Sequence, residues 1–149
     1  MTVRETAANP QRVILATSEG TASNQAISDT LSQLRGRGFR VGLSDFGAAG
    51  ASLSELCRNS IDVARIAPAY IERAVPSRAE AALLQAMIRI CRELDIDVIA
   101  AGVRAPQHRR LLQKLDCTLA QGLLFGPARP AREIEHSLRA AVEETERTP

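Results

Sequence analysis

Short apolar runs alternate along this chain with segments whose apolar residues recur every three or four positions, the signature of strands trading places with amphipathic helices. Arg12 to Thr17 (RVILAT) is rich in β-branched residues and reads as a buried strand. Phe39 to Asp45 reads as a second strand, with Phe39, Val41 and Leu43 apolar and Gly42 small where a neighbour must come close. Asp62 to Ile66, Ile96 to Ala100 and Thr118 to Gln121 supply three more, the first of them closed by Pro68. Between them, Ala22 to Arg35 puts Ala26, Ile27, Leu31 and Leu34 on one helical face. Ser52 and Glu55 have capping-box spacing and open a short helix through Cys57. Ser77 and Glu80 form a second box, ahead of an apolar stripe of Leu83, Leu84, Met87, Ile88, Cys91 and Leu94. Pro106 starts a helix carrying Leu111, Leu112 and Leu115, and the last helix is expected to bury Ile134, Leu138, Ala141 and Val142.

Five strands alternating with five helices predict an α/β fold of parallel strands joined by right-handed crossovers. The pattern fits both an open doubly wound sheet and part of a (β/α)8 barrel. No repeat or linker divides the chain: residues 1–11 read as a polar lead-in, 12–142 as one domain and 143–149 as a charged tail.

Composition narrows the partners. The 149 residues are 45% hydrophobic and 24% charged, which is globular, and aromatics at 3% leave a core of Leu, Ile, Val and Ala. So few aromatics offer no stacking platform for single-stranded nucleic acid, and a net charge of +2 is too small to imply a nucleic-acid or membrane partner. Cys57, Cys91 and Cys117 lack metal-ligand spacing and read as reduced, buried thiols of a cytoplasmic protein. No apolar run approaches the ~18 residues of a membrane span, and no signal-peptide core is seen.

The chemistry gathers at FRVGLSDFGAAG, Phe39 to Gly50. A carboxylate, Asp45, ends a parallel strand there beside a Gly-bracketed loop, the edge at which α/β folds place their sites. Asp45 suits a metal or phosphate site, and equally a turn made by its own backbone bond. Gly47 and Gly50 serve backbone geometry, Gln121 bonds either a ligand or loop backbone, and His108, Arg109 and Arg110 form a solvated helix face.

Three stretches in order, LSQLRGRGFRVGLSDFGAAGASLSEL, DVARIAPAYI and IDVIAAGVRAPQHRRLLQKLDCTLAQGLLFGPARP, resemble the EAL family of cyclic-di-GMP phosphodiesterases. Its pattern runs through DDFGTGYSSL, LKID, AEGVE and QGYLF-x-x-P, each at a strand end. The likeness covers about residues 12–142 and implies a partial TIM-like barrel matching the last five strand–helix units; the glutamate–alanine–leucine motif, the substrate arginine and an asparagine metal ligand belong to the three units outside the match.

Departures from the pattern shape what the resemblance implies. The family's metal-binding aspartate pair falls on Ser44 and Asp45, its E-x-T-E glutamates on Leu15 and Ser18, and the lysine and aspartate of LKID on Arg65 and Ala67. The two glutamates of AEGVE fall on Ala101 and Arg104. Two-metal hydrolysis needs several oxygen ligands around two hard cations and a polarised water, and each lost metal site or general base costs orders of magnitude in rate. The expectation is therefore a non-enzyme: no cofactor, no metal, no hydrolysis, weak or absent cyclic-di-GMP binding, and a vestigial site of Asp45, Arg65, Arg104 and Gln121. The function expected is regulation through a protein partner or a second copy, because a partial barrel leaves open sheet edges. The alternative is a phosphodiesterase or receptor active only when a complementary chain rebuilds the barrel.

Overall fold

In the computed structural model, residues 9–18, 21, 24–48, 56–57, 61–135, 137 and 139 are described. After a 3-10 turn at Pro10–Arg12 come β1 (Ile14–Ser18), α1 (Gln25–Gly36), β2 (Arg40–Phe46), β3 (Val63–Ile66), α2 (Pro68–Ala74), α3 (Arg78–Glu93), β4 (Asp97–Ala101), α4 (Pro106–Lys114) and β5 (Leu119–Gln121). A second 3-10 turn, Leu123–Phe125, follows, and residues 131–135 are helical. Of the short helix expected through Cys57, Leu56 and Cys57 are described and helical; its Ser52–Glu55 capping box, residues 1–8 of the lead-in, the tail at 143–149, and Leu138, Ala141 and Val142 lie outside the described residues.

The five strands form one parallel sheet in chain order, β1-β2-β3-β4-β5, as the alternation predicts. Successive side chains of a strand point to opposite faces. One set, including Val41, Leu43, Ala64, Ile66, Val98 and Ala100, packs with Ile71, Leu84, Ile88, Cys91 and Leu112 of the helices into a single core. The alternate set includes Arg40 and Asp97, which meet across β3 at 2.5 Å. Gly42 does what its size suggests: a Cβ there would lie 2.9 Å from Ile14 Cγ2 and 3.3 Å from Ala16 Cβ of the neighbouring strand. At the strands' amino ends, Asp62 accepts from the Val41 amide at 2.8 Å and pairs with Arg35 at 3.0 Å, tying α1, β2 and the approach to β3 together.

Several expectations are corrected. Pro68 does not merely close a strand; it stands in the first turn of α2, where its missing N–H costs nothing, so the crossover from β3 to β4 carries two helices. The Ser77 box is half made. Ser77 Oγ accepts from the Glu80 amide at 3.3 Å, but the Glu80 carboxylate turns to Arg73 at 3.2 Å. Leu84, Met87, Ile88 and Cys91 of α3 are buried, whereas Leu83 and Leu94 at the stripe's margin are exposed. Ile134 is exposed too, since the helical residues 131–135 lie on the surface rather than over the core. Cys57 is exposed, while Cys91 and Cys117 are buried as expected. His108 is buried beside Leu112, four residues on, and its Nδ1 accepts from the Arg104 amide at 3.4 Å; Arg109 and Arg110 keep the solvated face.

Burial first, and then the neighbouring Cys117, push the Cys91 thiol up to about 11 from an ordinary value of 9.0. Cys117 is raised as well, chiefly by burial. Between those values the folded chain keeps the Cys91 proton that the unfolded chain has lost. Stability is thus complete below pH 9 and falls toward pH 11, by about 2–3 kcal/mol at ~1.4 kcal/mol per pKa unit. Urea midpoints measured across that window should drop for the native chain, and Cys91→Ala should flatten the slope. The core assignment predicts a second contrast: Leu84→Ala costs about 2–5 kcal/mol by urea unfolding, and Leu83→Ala less than about 1 kcal/mol.

Candidate functional site

Strand order alone brings the ends of β2, β3, β4 and β5 to one edge, and the local backbone decides what each end presents. Between β2 and β3 the register jumps: Leu43 pairs with Ala64 but Phe46 with Ile66, so β2 carries one extra residue. Asp45 sits in that bulge with φ 55°, a left-handed conformation that Asp tolerates better than most residues. The strand thus runs past Asp45 to Phe46 instead of ending at the acid. The bulge brings Asp45 to Arg65 of β3, with Arg65 Nη2 donating to Asp45 Oδ1 at 3.3 Å. Both side chains stay partly exposed, so water screens the pair. Arg65 Nε, in contrast, is buried without a hydrogen-bond partner among the described residues.

The loop after the bulge is pinned from α2. Tyr70 Oη donates to the Gly47 carbonyl at 2.9 Å, and a Cβ on Gly47 (φ 93°) would meet the Tyr70 ring at 2.6 Å and Met87 Cε at 2.8 Å. Arg73 stacks 4.7 Å over the same ring. Arg104, in the loop after β4, pairs with Glu72 of α2 at 3.0 Å. Gln121 ends β5 beside Ala101; its carbonyl accepts from the Val103 amide at 3.0 Å and its side chain is exposed. Gly122 permits that pairing, since a Cβ there would overlap the Val103 carbonyl at 2.1 Å.

Of the four expected residues, then, Asp45 and Arg65 come together, Arg104 is drawn to Glu72, and Gln121 stands at the edge. Both arginines meet carboxylates, Arg65 that of Asp45 and Arg104 that of Glu72. Sequence reasoning missed Tyr70 and Glu72, which hold the site in place. Their signal was the helix that Pro68 opens. Among the described residues, no group of three or more His, Cys, Asp or Glu side chains is placed to hold a metal ion. With Asp45 engaged by Arg65 at this edge, the described residues do not make an oxygen shell for a divalent cation.

A parallel sheet in chain order, helices against one set of its side chains and polar residues at the carboxyl ends define part of a (β/α) barrel with a strand-end site. The EAL domain family model matches residues 1–128, and the chain belongs to that family. It is 30% identical over 82% of its length to the probable cyclic di-GMP phosphodiesterase PdeA of Escherichia coli K12, of which it covers 17%. To the bifunctional diguanylate cyclase/cyclic di-GMP phosphodiesterase MucR of Pseudomonas aeruginosa it is 29% identical over 84% of its length, covering 18% of that protein. The solved MucR phosphodiesterase in complex with c-di-GMP superposes with a TM-score of 0.80 at 28% identity, covering 89% of this chain and 54% of that one. The chain therefore spans less than a fifth of the length of these two relatives.

These relatives overturn the expectation of a non-enzyme: they are phosphodiesterases, and the family points to an enzyme. The expectation weighed positions within five strands, whereas a barrel site draws on the ends of several different strands around the ring. No described helix is long and apolar enough to cross a membrane.

The exposed Asp45–Arg65 pair makes a small prediction. In a double-mutant cycle of Asp45→Asn and Arg65→Gln, urea unfolding should give a coupling of about 0.2–1 kcal/mol that shrinks as salt is raised.

Proposed function

We propose that this chain serves cyclic-di-GMP turnover as part of an EAL phosphodiesterase site that further strand–helix units complete. The observation that carries the reading is the meeting of Asp45 and Arg65 at the carboxyl edge of the parallel sheet, in a chain whose relatives are phosphodiesterases. In this reading the Arg65 guanidinium, held by one oxygen of Asp45, turns its remaining donors to a phosphodiester oxygen, a charge-assisted bond suited to that planar group. Gln121 offers both an amide donor and an acceptor at the last strand end, while Arg104 stays paired with Glu72. In this reading the oxygen ligands for hydrolysis belong to the completing units.

A second reading rests on the edges at β1 and β5, which pair with no further strand among the described residues: the domain regulates by contact with a protein that covers them.

Equilibrium dialysis with cyclic-di-GMP, and chromatography for the linear dinucleotide with Mg²⁺ or Mn²⁺ present, test the first reading. Binding that falls roughly tenfold in Arg65→Ala supports it, at the ~1.5–3 kcal/mol typical of a bond to a charged group. Neither binding nor turnover, with the chain alone or joined to the first three strand–helix units of an EAL barrel, overturns it.

A further inference from the structure

We infer that the solvent-exposed face of α3 is a docking surface for α3 of a second copy of this chain, the two helices running antiparallel. α3 lies in the crossover between β3 and β4, in the middle of the sheet and apart from the strands at which completing units would add. The inference therefore concerns assembly and holds with or without those units. The helix packs Leu84, Met87, Ile88 and Cys91 into the core, and it carries a second apolar stripe besides. In that stripe Ala79, Leu83 and Ala86 are exposed, Leu83 at 48%, and Ile90 is half-buried. The steps between these residues are four, three and four, those of the seam between two coiled helices.

Two observations favour a copy over another occupant. First, the stripe is its own complement. It is symmetric about the Leu84–Gln85 peptide bond, with Leu83 as far on one side as Ala86 on the other, and Ala79 as far as Ile90. In an antiparallel pair with a two-fold axis there, Leu83 meets Ala86 of the other copy and Ile90 meets its Ala79. Each large side chain then faces a small one, and every contact is made twice. Second, charge is arranged for that direction. Arg78 in the first turn and Glu93 in the last are exposed, and each opposes the dipole of its own helix. The other charges of those turns are engaged, Glu80 by Arg73 at 3.2 Å and Arg92 by donating to the Asp116 carbonyl. Arg78 and Glu93 have no ion-pair partner among the described residues. An antiparallel copy sets Arg78 beside Glu93 of the other chain, and each beside the helix end that suits its sign. An unrelated protein would need neither the symmetry of the stripe nor this placement of charge.

Analytical ultracentrifugation of the full chain across a concentration series, with circular dichroism to confirm folding, tests it. One helix pair makes a small interface, so the native chain should dimerise with a Kd of roughly 1–100 µM. Leu83→Glu, at an exposed position, should be folded and monomeric throughout the series. Arg78→Glu and Glu93→Arg should each raise the dimer Kd roughly three- to thirtyfold, because like charges then meet at two symmetric places. Each of these variants suits its own helix dipole better than the native residue does, so the loss reads the interface and not the fold. The double variant should return to within about threefold of the native Kd, since the charges again match. A native chain that stays monomeric up to about 300 µM, well past that range, overturns the inference, whether or not it takes up another protein. So does a dimer that survives Leu83→Glu, or a double variant as weak as its parents.

Discussion

The rest of the structure depends on one constraint: strands laid side by side in chain order and all parallel. Each crossover must then have the same hand, and a right-handed crossover repeated in one direction puts every helix on the same side of the sheet. The core records this, because α2, α3 and α4 bury their apolar stripes against one alternating set of strand residues. Among the described residues the other set has no helix to meet and is built differently, from Gly42, the Arg40–Asp97 pair and Arg65. A sheet layered on one side curves toward a barrel, whereas a reversal of strand order would have clothed both faces.

Charge is handled at the two ends of this sheet in contrasting ways. At the amino ends Asp62 is tied by both the Val41 amide and Arg35, so the carboxylate serves structure. At the carboxyl ends the Asp45–Arg65 contact is single, longer and partly in water, and Arg65 keeps a buried nitrogen without a partner. A half-satisfied arrangement of that kind is costly, in contrast to the doubly tied Asp62.

Aromatic and glycine positions hold that edge in shape. Tyr70 fastens the loop after β2, and the close approaches at Gly47 and Gly122 are the kind that any side chain would block. None of these residues carries the chemistry. They set where Asp45, Arg65 and Gln121 stand relative to one another.

Much of the fold was legible in the chain. Apolar runs marked β1 to β5, the 3.6-residue period marked α1, α3 and α4, and the order of motifs pointed to the barrel family, because local periodicity and turn chemistry are written residue by residue. The helix Pro68 opens was missed because proline marks a stop as readily as a start, and only the packing of Ile71 and Ala74 shows which. The bulge at Asp45 was hidden, since register is a relation between two strands and neither contains it alone. The partners of Arg65 and Arg104 were equally beyond reach: Asp45 and Glu72 lie 20 and 32 residues away in sequence, and which carboxylate meets which arginine is settled only where the folded strand ends and α2 converge. The sequence by itself determined the elements, their order and the residue types at the strand ends; the tertiary structure decided which of those residues touch, because contact depends on register and helix placement that no single segment encodes.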